Sequence, residues 1–198
     1  MKTLYLAWQD SLHTRSWYPI GRLDADLSQP LFSFGYTRGA MEAHERAGLE
    51  PLDSFPDFRE RYESRELFPL FRNRVLSHER VDFREYLKFL DLQPENADPM
   101  EILAVSGGER QTDSLEVFPK VEPAKDGGFR CRFFLHGWRH ISSAAQARLE
   151  GLTPGGALQV AVELNNTVTT LALLVLTPDD CQMIGWAPRY LVSDLMRA

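Results

Sequence analysis

Trp186-Ala187-Pro188-Arg189-Tyr190 gathers an indole, a guanidinium and a phenol around one proline, and Trp138-Arg139-His140 offers a similar mixture earlier in the chain. Aromatic rings stack on nucleobases at roughly 1–3 kcal/mol per base, and arginine binds phosphate through two parallel hydrogen bonds. Asn165-Asn166 adds amide donors and acceptors at the end of an apolar run. Such chemistry suits a single strand or a strand end. The same residues also fit a plainer role, in which Trp138 and Trp186 are core aromatics, the arginines are solvated, and the last turn caps a small barrel.

Residues that make and break bonds are not arranged to do so. His13, His44 and His78 lie at no metal-ligand spacing. His136 and His140, read as strand residues, stand about 13 Å apart on one face, too far to share a metal. Cys131 and Cys181 lack CxxC spacing, which excludes a thiolate zinc site. There is no Gly-x-Ser-x-Gly, and Ser106-Gly107-Gly108-Glu109-Arg110 has no following Lys-Ser/Thr to hold a phosphate. Glu163 and Asp179-Asp180 read as strand-edge and turn acids. Neither a catalytic residue, a metal nor a cofactor is expected.

Charge narrows the partner. The chain of 198 residues carries a net charge of −6, which opposes coating a duplex by counterion release. From residue 126 onward six arginines and six acids cancel, with no lysine, so the excess acid lies in residues 1–125. A neutral C-terminal part whose cations are all arginines can hold one phosphate or one strand end. With 43% hydrophobic and 25% charged residues, no apolar run of membrane-span length and no long apolar leader, the chain reads as a cytoplasmic globular protein.

The elements that must position these residues follow from periodicity and punctuation. LYLAW, SWYPIGRLDAD and PLFSFGYTRG read as three short strands. MEAHERAG, FRERYESRELFPLFRNRVL and DFREYLKFLDL carry the three- and four-residue spacing of amphipathic helices, with Pro69 starting or kinking one. Asp98-Pro99 opens a helix that ends at Gly107-Gly108. LEVFP returns to strand, and VEPAKDGG at 121–128 has linker composition. Beyond it, FRCRFFLHGWRH reads as a strand and SSAAQARLEGL as a helix. ALQVAVELNN, TLALLVL and QMIGW follow as strands, and YLVSDLMRA as a terminal helix. The expectation is an α+β chain: a small β-unit with helices over 1–120, a linker over 121–128, and a small modified β-barrel with short helices over 129–198.

The C-terminal third resembles a HIRAN domain. The resemblance covers about Arg130 to Met196 and is carried by Gly137-Trp138-Arg139-His140, by the Asn165-Asn166 turn leading into an apolar strand, and by Ile184-Gly185-Trp186-Ala187-Pro188-Arg189-Tyr190-Leu191. It implies a modified β-barrel that captures the 3′ end of single-stranded DNA. In that role Arg139 and His140 meet the terminal nucleotide, Asn166 holds backbone or base, and Trp186 and Arg189 close the pocket, with Trp138 and Tyr190 beside them. The family's Asn-Pro-Tyr-Asp-x-Asn stands here as Asn166-Thr167-Val168-Thr169-Thr170-Leu171, which removes the base-stacking aromatic, the acid and the second Asn.

The N-terminal two-thirds is similar to the small N-terminal subdomain of HipA-type kinases, the toxins of toxin–antitoxin systems. Ile20-Gly21-Arg22-Leu23, Phe32-Ser33-Phe34-Gly35-Tyr36, Glu66-Leu67-Phe68-Pro69-Leu70-Phe71 with Asn73, and Asp98 through Gly108 to Val117 carry the likeness in order. No kinase catalytic loop or magnesium-binding pair follows, so phosphoryl transfer is not expected. Together the resemblances imply a non-enzymatic, bacterial-type DNA-binding adaptor of the DNA-repair kind. Its HIRAN-like part meets single-stranded DNA or a DNA end, and its acidic N-terminal part meets a protein partner. The alternative is an antitoxin-like partner of a HipA-type kinase in which DNA binding is lost.

Overall fold

The computed structural model describes residues 2–123, 128–167 and 170–197. Val168 and Thr169, expected to stand where the HIRAN pattern has an aromatic and an acid, lie outside the described residues, as do residues 124–127 of the expected linker. The fold is α+β with antiparallel sheets, in two compact units, Met1–Arg132 and Phe133–Ala198. The division between them falls at Arg132 and Phe133, a few residues beyond the expected linker. Strand β6 (Glu122–Pro123) pairs with β7 (Phe129–Arg130), and this ribbon belongs to the first unit.

In the first unit, β1 (Lys2–Gln9), β2 (Trp17–Asp26), β3 (Leu31–Tyr36), β4 (Arg61–Ser64) and β5 (Leu115–Pro119) form one sheet in the order β4-β3-β2-β1-β5. Helix α1 (Arg38–Ala47) is capped by the Thr37 hydroxyl. It is followed by α2 (Pro69–Arg72), α3 (Phe83–Phe89) and α4 (Pro99–Ser106), whose N-cap Asp98 accepts from the backbone N–H groups of Met100 and Glu101, as the sequence predicts. The core centres on Phe34, which stacks on Phe55 at 3.9 Å and lies 5.8 Å from Phe71. Tyr36 ties the loop beyond α1 to this core. Its hydroxyl donates to the Phe55 carbonyl at 2.8 Å and accepts from the Leu52 N–H at 2.7 Å, and burial pushes its phenol above the ordinary value.

One expected helix is absent. The segment FRERYESRE contains the edge strand β4, with Tyr62 paired to Phe34 and half-buried between exposed Arg61 and Glu63, and helix begins only at Pro69. Charges three and four apart imitate an amphipathic helix, yet here they guard a sheet edge, where charged side chains oppose further pairing.

The β1–β2 connection is held by Asp10, whose carboxylate accepts the backbone N–H groups of Leu12, His13 and Thr14 at 2.8–3.2 Å. The Thr14 N–H above all holds Asp10 well below the usual carboxylate range. A depressed folded-state pKa gives stability that is present above the unfolded value, about 3.9, and is lost as pH falls toward the folded one. The melting temperature of the wild type is therefore expected to exceed that of Asp10→Asn at pH 7, with the gap closing between pH 4 and pH 2. A pH-independent gap in a calorimetric series would contradict this.

In the second unit, β8 (Gln159–Asn166), β9 (Thr170–Leu176) and β10 (Met183–Trp186) form a sheet in the order β10-β9-β8, with α5 (Ser143–Glu150) before it and α6 (Val192–Leu195) after it. The expected strand FRCRFFLHGWRH is largely not one. Residues 131–135 keep alternating burial but have no ladder, and pairing is confined to the two residues of β7 and a bridge between His136 and Trp186. Without a fourth strand the expected barrel is, among the described residues, an open three-stranded sheet. No helix of the described residues is long and apolar enough to cross a membrane.

Candidate functional site

The site is built on the far end of β10. The register of β10 against β9 shifts between Met183 and Gly185, and Gly185 has φ 154°. A Cβ on Gly185 would stand 3.0 Å from the His136 carbonyl oxygen, so its absence lets the incoming chain lie against the strand. His136 and Trp186 then exchange backbone hydrogen bonds of 2.9 and 3.0 Å. The next residue, Gly137, has φ 70°, and a Cβ there would fall 2.5 Å from the Trp186 ring. Glycine is needed twice over, for the left-handed backbone and for the contact with the indole.

That reversal turns Trp138–His140 into a single 3-10 turn with all three side chains exposed. Trp138 is 45% exposed, and the Arg139 guanidinium lies 5.5 Å from its ring centroid. A π-face and a cation side by side on a fixed turn are the parts from which base stacking and phosphate contact are made. Placing His140 in this turn corrects the strand geometry expected for His136 and His140. Among the described residues no group of three or more His, Cys, Asp or Glu could hold a metal.

Sequence reasoning missed the role of Glu163. One of its oxygens accepts from the Trp186 indole N–H at 3.1 Å and from the Asn166 amide at 2.9 Å. The three side chains meet because the β8–β9 register shifts between Glu163 and Asn166, which breaks strand alternation and turns Asn166 toward Glu163. The expected pair Trp186 and Asn166 is thus brought together around a carboxylate. Its charge repels phosphate, and its hydrogen bond occupies the indole N–H. The available signal was the alternation Leu158, Val160, Val162, Leu164, which isolates Glu163 on the opposite face.

The final turn divides its residues. The N–H of Ala187 donates to the Leu173 carbonyl at 2.9 Å, which fixes the chain before Pro188. Arg189 is half-buried at the start of a 3-10 turn. Tyr190 is 8% exposed with its ring edge-on to His136 at 6.0 Å, so burial keeps its face from a base. Leu171 and the buried Leu173 belong to the cluster formed with Ala187 and Val192. Arg148 faces Asp180 at 3.3 Å and Asp179 at 3.7 Å, which neutralises it as an anion site.

The first unit has a polar hollow beside Lys2 and Arg132, but its cations are engaged. Lys2 pairs with Asp98 at 2.6 Å and Glu101 at 3.0 Å, and Arg132 pairs with Asp91 at 2.8 Å. Comparison of the chain with family models, curated proteins and solved structures finds no match.

Proposed function

We propose that the chain is a DNA-binding adaptor. Its C-terminal unit engages a single strand or strand end through the turn Trp138-Arg139-His140, and its acidic N-terminal unit engages a protein partner. The observation that carries this reading is the exposed indole of Trp138 with the Arg139 guanidinium 5.5 Å from its centroid. The resemblance of residues 130–196 to a HIRAN domain supports it. In this reading Trp138 supplies the stacking surface, Arg139 a phosphate contact, and His140 a further donor. Trp186 and Asn166 shape the floor through Glu163 rather than touching phosphate. With few cations and a carboxylate nearby, binding is modest and depends on a few contacts.

The test is fluorescence anisotropy with single-stranded, duplex and 3′-phosphate-blocked oligonucleotides at two salt concentrations. Arg139→Ala is expected to weaken single-strand affinity about tenfold and to reduce the salt slope by roughly 0.7 for one lost phosphate contact. Equal affinity of Arg139→Ala, Trp138→Ala and wild type removes the reading. Loss of binding on blocking the 3′ end would extend it to end capture.

A second reading, an antitoxin-like partner of a HipA-type kinase with DNA binding lost, is favoured by the placement of Glu163 between Trp186 and Asn166 and by the net charge of −6. Its signature is a co-purifying kinase-like protein together with no single-strand binding at low salt.

A further inference from the structure

Strand β8 lies at the edge of its sheet, and the apolar face of that sheet is only partly covered. Val160 stands opposite Val175 and Val162 opposite Leu173, so these four share one face. On β9 the face is buried: Leu173 is 3% and Val175 4% exposed, with Leu173 under Val192 and Ala187. One strand over, the same face is open. Val160 is 64% and Val162 45% exposed, and the flanking Leu158, just before β8, and Leu164, at its register shift, are 43% and 69% exposed. Ahead of the register shift at its far end, this edge strand carries no lysine or proline, and its one charge, Glu163, is turned to Trp186 and Asn166, so the row itself has few guards against pairing.

We infer that β8 is a self-pairing edge, on which a second copy of the chain adds its own β8 antiparallel about a twofold axis at Ala161. The twofold makes the contact isologous, so the strand must complement itself. In the register centred on Ala161 it does, with Val160 opposite Val162 on the apolar face and Leu158 level with Leu164 at the two ends. On the other face Gln159 stands opposite Glu163, an acceptor–amide pair. Centring on Val162 instead sets Leu158 against Asn166, and centring on Glu163 sets two carboxylates against each other, which is destabilising. A foreign strand would have to match this pattern, whereas a second copy carries it by construction.

The strip amounts to a few hundred Å², less than the roughly 800 Å² that each partner brings to a standard interface. The dimer is accordingly weak and concentration-dependent. Added salt strengthens it, because screening reduces the repulsion between two chains of net charge −6. Salt acts in the opposite sense on a DNA contact, and the self-pairing rests on the apolar row alone, independent of the DNA reading.

Sedimentation of the full chain from about 1 to 100 µM tests it, with circular dichroism to confirm the fold of each variant. The wild type is expected to shift from monomer to dimer across this range, and Val162→Lys or Leu164→Glu to weaken the shift at least tenfold. The double variant Val160→Glu, Val162→Lys places opposite charges across the twofold only in the Ala161-centred register, and it should dimerise better than Val162→Lys alone. A wild type that stays monomeric throughout, or a dimer indifferent to both single variants, overturns the proposal. A double variant no better than the single one overturns the register.

Discussion

Arg74→Leu is expected to destabilise the first unit by about 3 kcal/mol, the lower end of the range for removing one partner of a buried ion pair. The side chain of Arg74 is 1% exposed. Its guanidinium donates to the Gly108 carbonyl at 2.9 Å and to Asp113 at 2.5 Å, with a longer contact to the Leu115 carbonyl at 3.5 Å. These bonds tie the residues after α2 to the loop between α4 and β5. Asp113 can turn to water once the guanidinium is gone, whereas the Gly108 carbonyl is buried and cannot, which sets the size of the loss. Among the described residues the Arg74 Nε has no partner, and its removal returns a little of the cost. Arg74→Lys should recover little, since one ammonium cannot reproduce the planar fork. The check is urea unfolding, where the midpoint falls with an unchanged slope, while hydrogen exchange localises the loss to β5 and the 108–115 loop. Equal midpoints would mean that the clamp contributes nothing net.

Gly137→Val carries the second large effect, at about 2–5 kcal/mol from a left-handed β-branched residue together with overpacking. The Trp186 ring, 2.5 Å from the position of the new Cβ, cannot step aside freely because its indole N–H is bonded to Glu163 and its backbone to His136. The turn bearing Trp138 and Arg139 must therefore move. A loss of the near-ultraviolet signal of the tryptophans, together with a fall in single-strand affinity, is the expected pair of readouts. A variant that keeps both would show that Gly137 does not fix the turn. Glu163→Gln separates the causes, since it keeps two acceptor contacts while removing the repelling charge.

Much of the fold is legible in residue order because punctuation and period agree. Asp98-Pro99 opens α4, Gly48 and Gly107 end helices, and TLALLVL is β9 residue for residue. The two misread segments fail for one reason, that local pattern is silent about neighbours. FRERYESRE has helical charge spacing but lies beside β3, and FRCRFFLHGWRH alternates like a strand but has no strand to pair with between Arg130 and the bridge at His136. The site was half legible. Trp138 and Arg139 are exposed on a turn, but the meeting of Trp186, Asn166 and Glu163 depends on two register shifts that composition does not encode.

The sheet order of the first unit has a consequence for synthesis. Strand β1 is flanked by β2 and β5, and its partner residues Val117 and Phe118 reach the ribosome exit about a hundred residues after it does. At roughly 5–20 residues per second the interval is on the order of ten seconds. Throughout it β1 keeps an unpaired edge carrying Leu4 and Leu6, side chains that the finished core buries. Completion of this unit is a late, long-range event in the life of the nascent chain, and the Arg74 clamp, which grips the loop just before β5, can form only at that same moment.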